Sequence, residues 1–322
     1  MTTAAPEFLV ILGQTASGKE RVSLALAHQL GGEIVSCDSM KVYRGMDIGT
    51  AKAGEADRLS VPHHLIDVVD PWERFSAAQW AQAAEAAIAD IVSRGRLPIV
   101  SGGTVLYLKA LVFGLFEGPG ANPAIRARLA DEAKRHGTAA LHARLADVDP
   151  QAARRIHPND LRRIVRALEV HELTGQPIST QQRQFDAPRT DLRPWVFALR
   201  RTRDDLHRRI DDRADRMIAN GLADEVRRLT ADPRGLSPEA SAAVGYREMI
   251  DCLQGRLPVE RVADEIKKNT RLFARRQMTH LRSLALVRWI DVHPNESPDS
   301  TAQRIADVWR TRAATAEIPA SG

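Results

Sequence analysis

Cysteine is scarce in this chain: the 322 residues contain two, Cys37 and Cys252, far apart and neither in a C-x-x-C pair. That spacing argues against a disulfide framework or a cysteine-built zinc site, and it fits a reducing cytoplasm. Long apolar runs are missing as well. None approaches the roughly 18 residues that a membrane span needs, so no membrane partner is expected. Met1 to Glu7 lacks the basic n-region and apolar core of a secretory signal. No internal repeat is present. Hydrophobic residues still make up 43%, enough for a substantial core, and the formal net charge is +5. A mild positive charge says little by itself. Clustered Arg and Lys say more, because they are the footprint of a polyanion.

The apolar pattern predicts an α/β fold. Phe8 to Leu12 reads as a strand buried on both faces, and a glycine-rich turn leads into a helix from about Gly18 to Leu30. Further strands are expected at Glu33 to Cys37, Leu65 to Val69 and Leu97 to Ser101. Ser76 and Gln79 form a capping box for a helix running to about Arg94. Gly102-Gly103-Thr104 opens another helix. Alternating strand and helix implies a parallel sheet flanked by helices, here with a P-loop NTPase-like start. From about Pro119 the pattern turns to helices and polar loops. The expected organisation is a core at 1–118, a helical insertion at 119–195, a second core segment at 196–291 and a tail at 292–322. The second core segment opens on a strand at Trp195 to Leu199 and continues in long helices, then a short apolar piece at Val287 to Ile290. The tail is rich in Pro, Ser, Ala and Thr and is expected to be loosely held.

Gly13, Gln14, Thr15, Ala16, Ser17, Gly18 and Lys19 fit G-x-x-x-x-G-K between a strand and a helix. In that context the backbone N–H groups turn inward and cradle phosphate oxygens, and the lysine adds charge. The next residue should be Ser or Thr, whose hydroxyl holds a metal; here it is Glu20. A carboxylate is a stronger ligand for Mg²⁺ than a hydroxyl, so Glu20 is a candidate metal ligand. Alternatively it swings to solvent as a first-turn residue. Asp38 follows the second strand and Thr104 the fourth, so both should reach the crevice at the carboxyl ends of the strands. Asp38 there could take a proton or hold a metal, or simply cap a turn. Asp67 lies within its strand run and reads as structural.

Arg213 falls in the middle of an apolar stripe made by Leu206, Ile210 and Met217. A charge there needs a partner, either an anionic ligand or an internal carboxylate. From Arg261 to Leu284 the residues separate by angle. Val262, Ile266, Phe273, Gln277, His280 and Leu284 share one side; Arg261, Lys267, Lys268, Arg271, Arg275 and Arg282 share the other, with no acid expected among them. Such a face suits a phosphate backbone, or is merely solvated. Arg154, Arg155, Arg162, Arg163 and Arg166 form a second cluster.

Together these stretches resemble the bacterial tRNA dimethylallyltransferases, also called tRNA isopentenyltransferases, from about Leu9 to Trp289. GQTASGKE, DSMKVYRGMDIGTAK at 38–52, PHHLID at 62–67, FSAAQW at 75–80 and GGTVLYLKAL at 102–111 carry the likeness. RIHPNDLRRIVRALEV at 155–170, GYRE at 245–248 and TRLFARRQMTHLR at 270–282 follow in the same order. The resemblance implies transfer of a dimethylallyl group from dimethylallyl diphosphate to the exocyclic amine of the adenosine beside the tRNA anticodon. It implies Asp38 as the general base, the phosphate loop with Lys19 on the leaving diphosphate, Thr104 and Arg213 at the diphosphate and reacting centre, and Mg²⁺ as the metal. It assigns tRNA contacts to Asp38, Ser39, Met40 and Lys41; to Arg126, Arg162, Arg163, Ile164, Val165 and Arg166; to Ala242, Ala243, Val244, Gly245, Tyr246 and Arg247; and to Arg275, Arg276, Gln277, Met278, Thr279, His280, Leu281 and Arg282. The helical insertion would grip the anticodon stem-loop, and a cytoplasmic monomer is expected. Several positions depart from the family pattern: Gln14 stands for a usual Pro, Lys41 for a common Gln, His280 and Leu281 for an aromatic pair, and Glu20 for the hydroxyl. A small-molecule kinase leaves the 38–52 block unexplained. A relative disabled at Glu20 still carries Asp38, Thr104 and Arg213. An enzyme acting on free adenosine phosphates would not need the basic stripe or the helical insertion.

Overall fold

A computed structural model describes residues 5–115, 118–181 and 187–312. It divides into two compact units, one formed by 1–112 with 190–322 and the other by 113–189. In the first unit a six-stranded parallel sheet comprises β1 (Glu7–Gly13), β2 (Gly32–Cys37), β3 (His63–His64), β4 (Leu97–Gly102), β5 (Arg193–Arg200) and β6 (Arg288–Asp291). The order is β3-β2-β4-β1-β5-β6. Because β1 lies between β4 and β5, the chain leaves it toward one edge and later returns on the other side. That reversal makes a crevice at the carboxyl end of β1. Registers bring three strand ends together: Cys37 pairs with Gly102, and Gly102 pairs with Leu12. Asp38, Gly103 and Gly13 follow directly. Gly102 must lack a side chain, since a Cβ there would collide with the Cys37 carbonyl.

β1 is the continuous apolar strand that the sequence predicts, with Phe8 to Leu12 fully buried. Leu9, Ile11, Phe197 and Leu199 pack with Leu26 of the Lys19–Leu30 helix. The Ser76–Gln79 capping box is formed at the start of the Ala77–Ser93 helix. From that helix buried Trp80 donates its indole N–H to Ser36 O at 2.9 Å. Two expectations fail. The third strand is only His63–His64, displaced toward the N-terminus. Leu65 and Asp67 take positive φ, 60° and 57°, which a strand does not tolerate, and Val69 makes only an isolated bridge to Tyr43. Asp67 instead binds Lys52 Nζ at 2.6 Å and Arg58 at 2.8 Å, a structural role as expected. The tail is not loose throughout: Pro298–Arg310 is a helix that buries Ala302, Ile305 and Ala306 in the same core as Leu26.

The 113–189 unit is helical among its described residues. Pro123–His136, Thr138–Val148, Pro150–Arg155 and Leu161–Thr174 enclose Leu129, Leu141, Leu145, Ile164 and Leu168. β5 begins at Arg193, two residues before the expected start.

Candidate active site

The loop after β1 is held in an unusual path. Ala16 and Gly18 have φ of 62° and 92°, and a side chain on Gly13 would strike Ser17 Oγ. Side chains and a backbone carbonyl distant in sequence clamp it. Arg209 Nε donates to Ala16 O at 2.9 Å and Arg201 Nε to Ser17 O at 2.7 Å. Gln14 Nε2 donates to Ala274 O at 2.9 Å, while Gln277 Oε1 accepts from Thr15 N at 2.8 Å and its amide donates to Gly103 O at 3.1 Å. Lys19, at the helix N-terminus, is buried. Burial lowers its pKa from the usual lysine value; Lys41 and Arg213 add to this, opposed by Glu20 and Asp38.

Asp38 and Thr104 meet across the β2 and β4 ends. Thr104 Oγ1 accepts from Ser39 N at 3.1 Å, and Asp38 Oδ1 accepts from Met40 N at 2.9 Å. Only one Asp38 oxygen is used in these turn bonds. Arg213 donates to Thr50 O at 3.1 Å and has no carboxylate partner among the described residues. The internal salt bridge allowed by its pattern is therefore not formed. Lys19, Asp38, Thr104 and Arg213 line one cavity of about 290 Å³, whose far wall includes Ile266 and Phe273. An adjoining cavity of about 570 Å³ shares Lys19, Glu20 and Arg213 and adds Arg209 and Arg216. The arrangement places cations and the Asp38 carboxylate at one cavity whose mixed wall includes the apolar side chains of Ile210, Met217, Ile266 and Phe273. It suits an anionic leaving group attached to an apolar one.

Glu225 was not singled out by the sequence. It is 2% exposed, and its carboxylate accepts from the N–H groups of Asp47, Ile48 and Gly49 and from the Tyr246 hydroxyl at 2.6 Å. It pins the 47–49 segment, so Gly49, Thr50 and Tyr246 form a fixed wall of the smaller cavity. Arg201 and Arg209 were missed for the same reason: nothing local marks a side chain that holds a backbone almost 200 positions away.

The expected nucleic-acid contacts separate by burial. Ser39, Met40, Ala242, Ala243, Val244, Tyr246, Arg276 and Gln277 line the cavity with Asp38. Gln277 and Tyr246 are buried and bonded internally, and Leu281 and Gly245 are buried too. Arg247 bonds Glu248 at 2.8 Å; Thr279, His280 and Arg282 are exposed, and Met278 is partly so. In the other unit Ile164 and Val165 lie in the helical core, whereas Arg162 and Arg163 are exposed. Arg126 and Arg166 both close on fully buried Glu169, at 2.9 and 2.8 Å.

The basic face of the Val259–Arg282 helix also needs correction. Glu265 reaches both Lys268, at 3.0 Å, and Arg261, at 3.8 Å; Asp215 pairs with Lys267 and Asp211 with Arg271. Acids from this helix and from the Arg203–Ala219 helix thus interleave with it. Arg275, Arg276 and Arg282 have no acidic partner among the described residues, so the free charge gathers at the helix C-terminal end. Glu20 keeps part of its surface in solvent but does not stand alone: its Oε1 lies 2.6 Å from Lys41 Nζ. No group of three or more His, Cys, Asp or Glu is placed to hold a metal among the described residues.

A model of the family described as IPP transferase matches residues 41–284. The chain is 46% identical to a tRNA dimethylallyltransferase of Pelotomaculum thermopropionicum, covering 92% of this chain and 95% of that one. It is 48% identical to one from Stenotrophomonas maltophilia, covering 89% and 93%. The crystal structure of a full-length tRNA isopentenylpyrophosphate transferase from Bacillus halodurans superposes with a TM-score of 0.70 at 37% identity, over 96% of this chain and 99% of that one. A eukaryotic dimethylallyltransferase acting on tRNA gives a TM-score of 0.77 at 27% identity, over 97% and 81%. The crevice built from the ends of β1, β2 and β4 therefore sits in a P-loop NTPase-like scaffold that has known relatives over nearly its whole length, and the chain belongs to the IPP transferase family, the tRNA dimethylallyltransferases.

Proposed function

We propose that this protein transfers a dimethylallyl group from dimethylallyl diphosphate to the exocyclic amine of the adenosine beside the anticodon of tRNA. The observation that carries the reading is the convergence of Lys19, Asp38, Thr104 and Arg213 on one cavity. The amine nitrogen forms a bond to the allylic carbon as the carbon–oxygen bond to the diphosphate breaks. Asp38 accepts the proton that the nitrogen loses, through the oxygen left free by its turn bonds. The diphosphate leaves with the bonding electron pair and is stabilised by loop N–H groups, Lys19 and Arg213. These donors are already clamped, so little reorganisation is needed as charge develops. Buried Ile266 and partly solvent-exposed Phe273 offer the prenyl chain an apolar wall. Exposed Arg275, Arg276 and Arg282 bind backbone phosphates, and the helical unit grips the anticodon stem-loop through Arg162 and Arg163. The adenine leaves its stack to expose the amine.

Mg²⁺ is proposed to enter as the counter-ion of the diphosphate, whose charge it neutralises. Position 20 has no hydroxyl to hold the ion, one oxygen of its carboxylate is engaged by Lys41, and no group of three or more His, Cys, Asp or Glu is placed for a metal among the described residues, which supports an ion carried mainly by the diphosphate. A cytoplasmic monomer completes the reading; no helix among the described residues is long and apolar enough to cross a membrane.

The test is pyrophosphate release from dimethylallyl diphosphate by purified protein. Release should require tRNA, and free adenosine phosphates should not replace it. Release without tRNA, or phosphoryl transfer from ATP to a small acceptor, would contradict the reading.

A further inference from the structure

The helix after the phosphate loop opens with Lys19, which is buried, and Glu20, whose side chain is half-exposed but bends to a buried partner. Glu20 Oε1 lies 2.6 Å from Lys41 Nζ, and the Lys41 side chain is only 6% accessible. A buried ammonium is costly unless paired. Among the described residues Glu20 is its one carboxylate partner. Burial works against ionisation of Glu20, but Lys41, Lys19 and Arg213 outweigh it and bring its pKa down to about 2. Glu20 is thus ionised at neutral pH.

It also joins two walls of the site. Glu20 belongs to the first turn after the phosphate loop. Lys41 closes the turn that begins at Asp38, whose Oδ1 accepts from Met40 N at 2.9 Å and Lys41 N at 3.4 Å. Glu20 borders the two cavities that meet at Lys19, and a third of about 430 Å³ behind Asp38 and Lys41.

We infer that Glu20 and Lys41 are positioning residues acting as one unit: the ion pair holds the Asp38 turn against the phosphate loop, and Glu20 serves Lys41 rather than a metal. This rests on Asp38 as the proton acceptor. Neither residue touches the reacting atoms in this account. Glu20 without Lys41 would be a carboxylate without its ion-pair partner beside the diphosphate, competing with it for Lys19 and Arg213, and like charges repel. Lys41 without Glu20 would be a buried cation beside Lys19. The two substitutions are therefore harmful singly and tolerated together.

The experiment is a double-mutant cycle of Glu20→Thr and Lys41→Gln, with Asp38→Asn beside it, in transfer from dimethylallyl diphosphate to tRNA. Each single change should lower kcat/KM about tenfold, and the double variant should return to within about threefold of the parent. Lys41→Gln should act partly through a raised KM for dimethylallyl diphosphate, which a purely structural pair would leave unchanged. Calorimetry with inorganic pyrophosphate should give the same Mg²⁺ requirement for the parent and the double variant. The double variant removes both members of the pair and orphans neither, so it stays measurable where a single one melts. Additive losses in the cycle, with Asp38→Asn inactive, would overturn the inference alone. So would a Mg²⁺ requirement that Glu20→Thr shifts equally with Lys or Gln at position 41, the mark of a metal ligand. An active Asp38→Asn would overturn the reading of Asp38, and this role for the pair with it.

Discussion

Arginine is used in two ways in this chain, and the crevice and the helical unit show the difference. In the helical unit Arg126 and Arg166 close on one buried carboxylate, Glu169, which also accepts from Asn122 N at 2.7 Å. Arg126 thereby joins its helix to the Leu161–Thr174 helix, and Arg166 pairs within that helix and donates to Pro119 O. In the crevice Arg213 stands on an apolar helix face with only the Thr50 carbonyl as acceptor. Its charge stays available, beside a lysine in the same condition. The same residue type builds in one place and awaits an anion in the other. What separates the cases is whether a carboxylate was folded in with the arginine.

The contrast would break first at Asp38, which gives the crevice its chemistry. Asp38→Asn should slow single-turnover transfer by about 10²–10⁴-fold, since Asn keeps the shape but cannot take the proton. Affinity for tRNA should stay within about threefold; unchanged transfer would remove Asp38 from the mechanism. Next come the two kinds of arginine site. Arg213→Gln should cost about 10²–10³ in kcat and leave the melting midpoint almost unmoved. Glu169→Gln should do the reverse, destabilising the fold by about 2–3 kcal/mol while pyrophosphate affinity holds; both arginines keep access to water, so the loss is below that of a fully buried pair. Similar melting losses in the two variants would erase the distinction.

The same contrast was only partly legible in the sequence. The phosphate loop, Asp38 and Thr104 were, because strand ends in a parallel sheet converge by topology and each residue sits directly after an apolar run. Arg213 was visible as an anomaly on its helix face, but a single sequence could not show that no carboxylate reaches it. The basic stripe was overread for the matching reason. Asp211 and Asp215 lie on another helix, so periodicity within 261–284 could not reveal that they neutralise Arg271 and Lys267. Gln277 fell on the apolar side of its helix and was assigned to the tRNA contacts by resemblance, but its long-range bonds to Thr15 and Gly103 leave no local trace. The strand expected at 65–69 failed where backbone geometry overrode apolar pattern: positive φ at Leu65 and Asp67 serves the ion pairs with Lys52 and Arg58.

Smaller effects sharpen the distinction between spent and free charge. Replacing Arg275 and Arg282 by Ala should lower the slope of log tRNA affinity against log salt by about one per lost contact. Replacing Lys267 and Arg271, already neutralised, should barely move it; equal slopes from both pairs would mean that pairing does not matter there. The smallest effect concerns pH. The Glu20 carboxyl is depressed from 4.5 to about 2, so the stability its ionised form contributes is complete above about pH 4.5 and is lost as pH falls through about 2. The stability difference between the parent and Glu20→Gln should therefore be flat from about pH 5 to pH 8. A slope within that window would contradict the ion pair.

The most direct measurement is mass spectrometry of tRNA nucleosides after incubation with purified protein, dimethylallyl diphosphate and Mg²⁺. The account predicts one adenosine per tRNA, beside the anticodon, gaining a single C₅H₈ unit, and no gain when the diphosphate is omitted. Unmodified tRNA at every metal concentration, with modification appearing only in the Glu20→Thr variant, would contradict it.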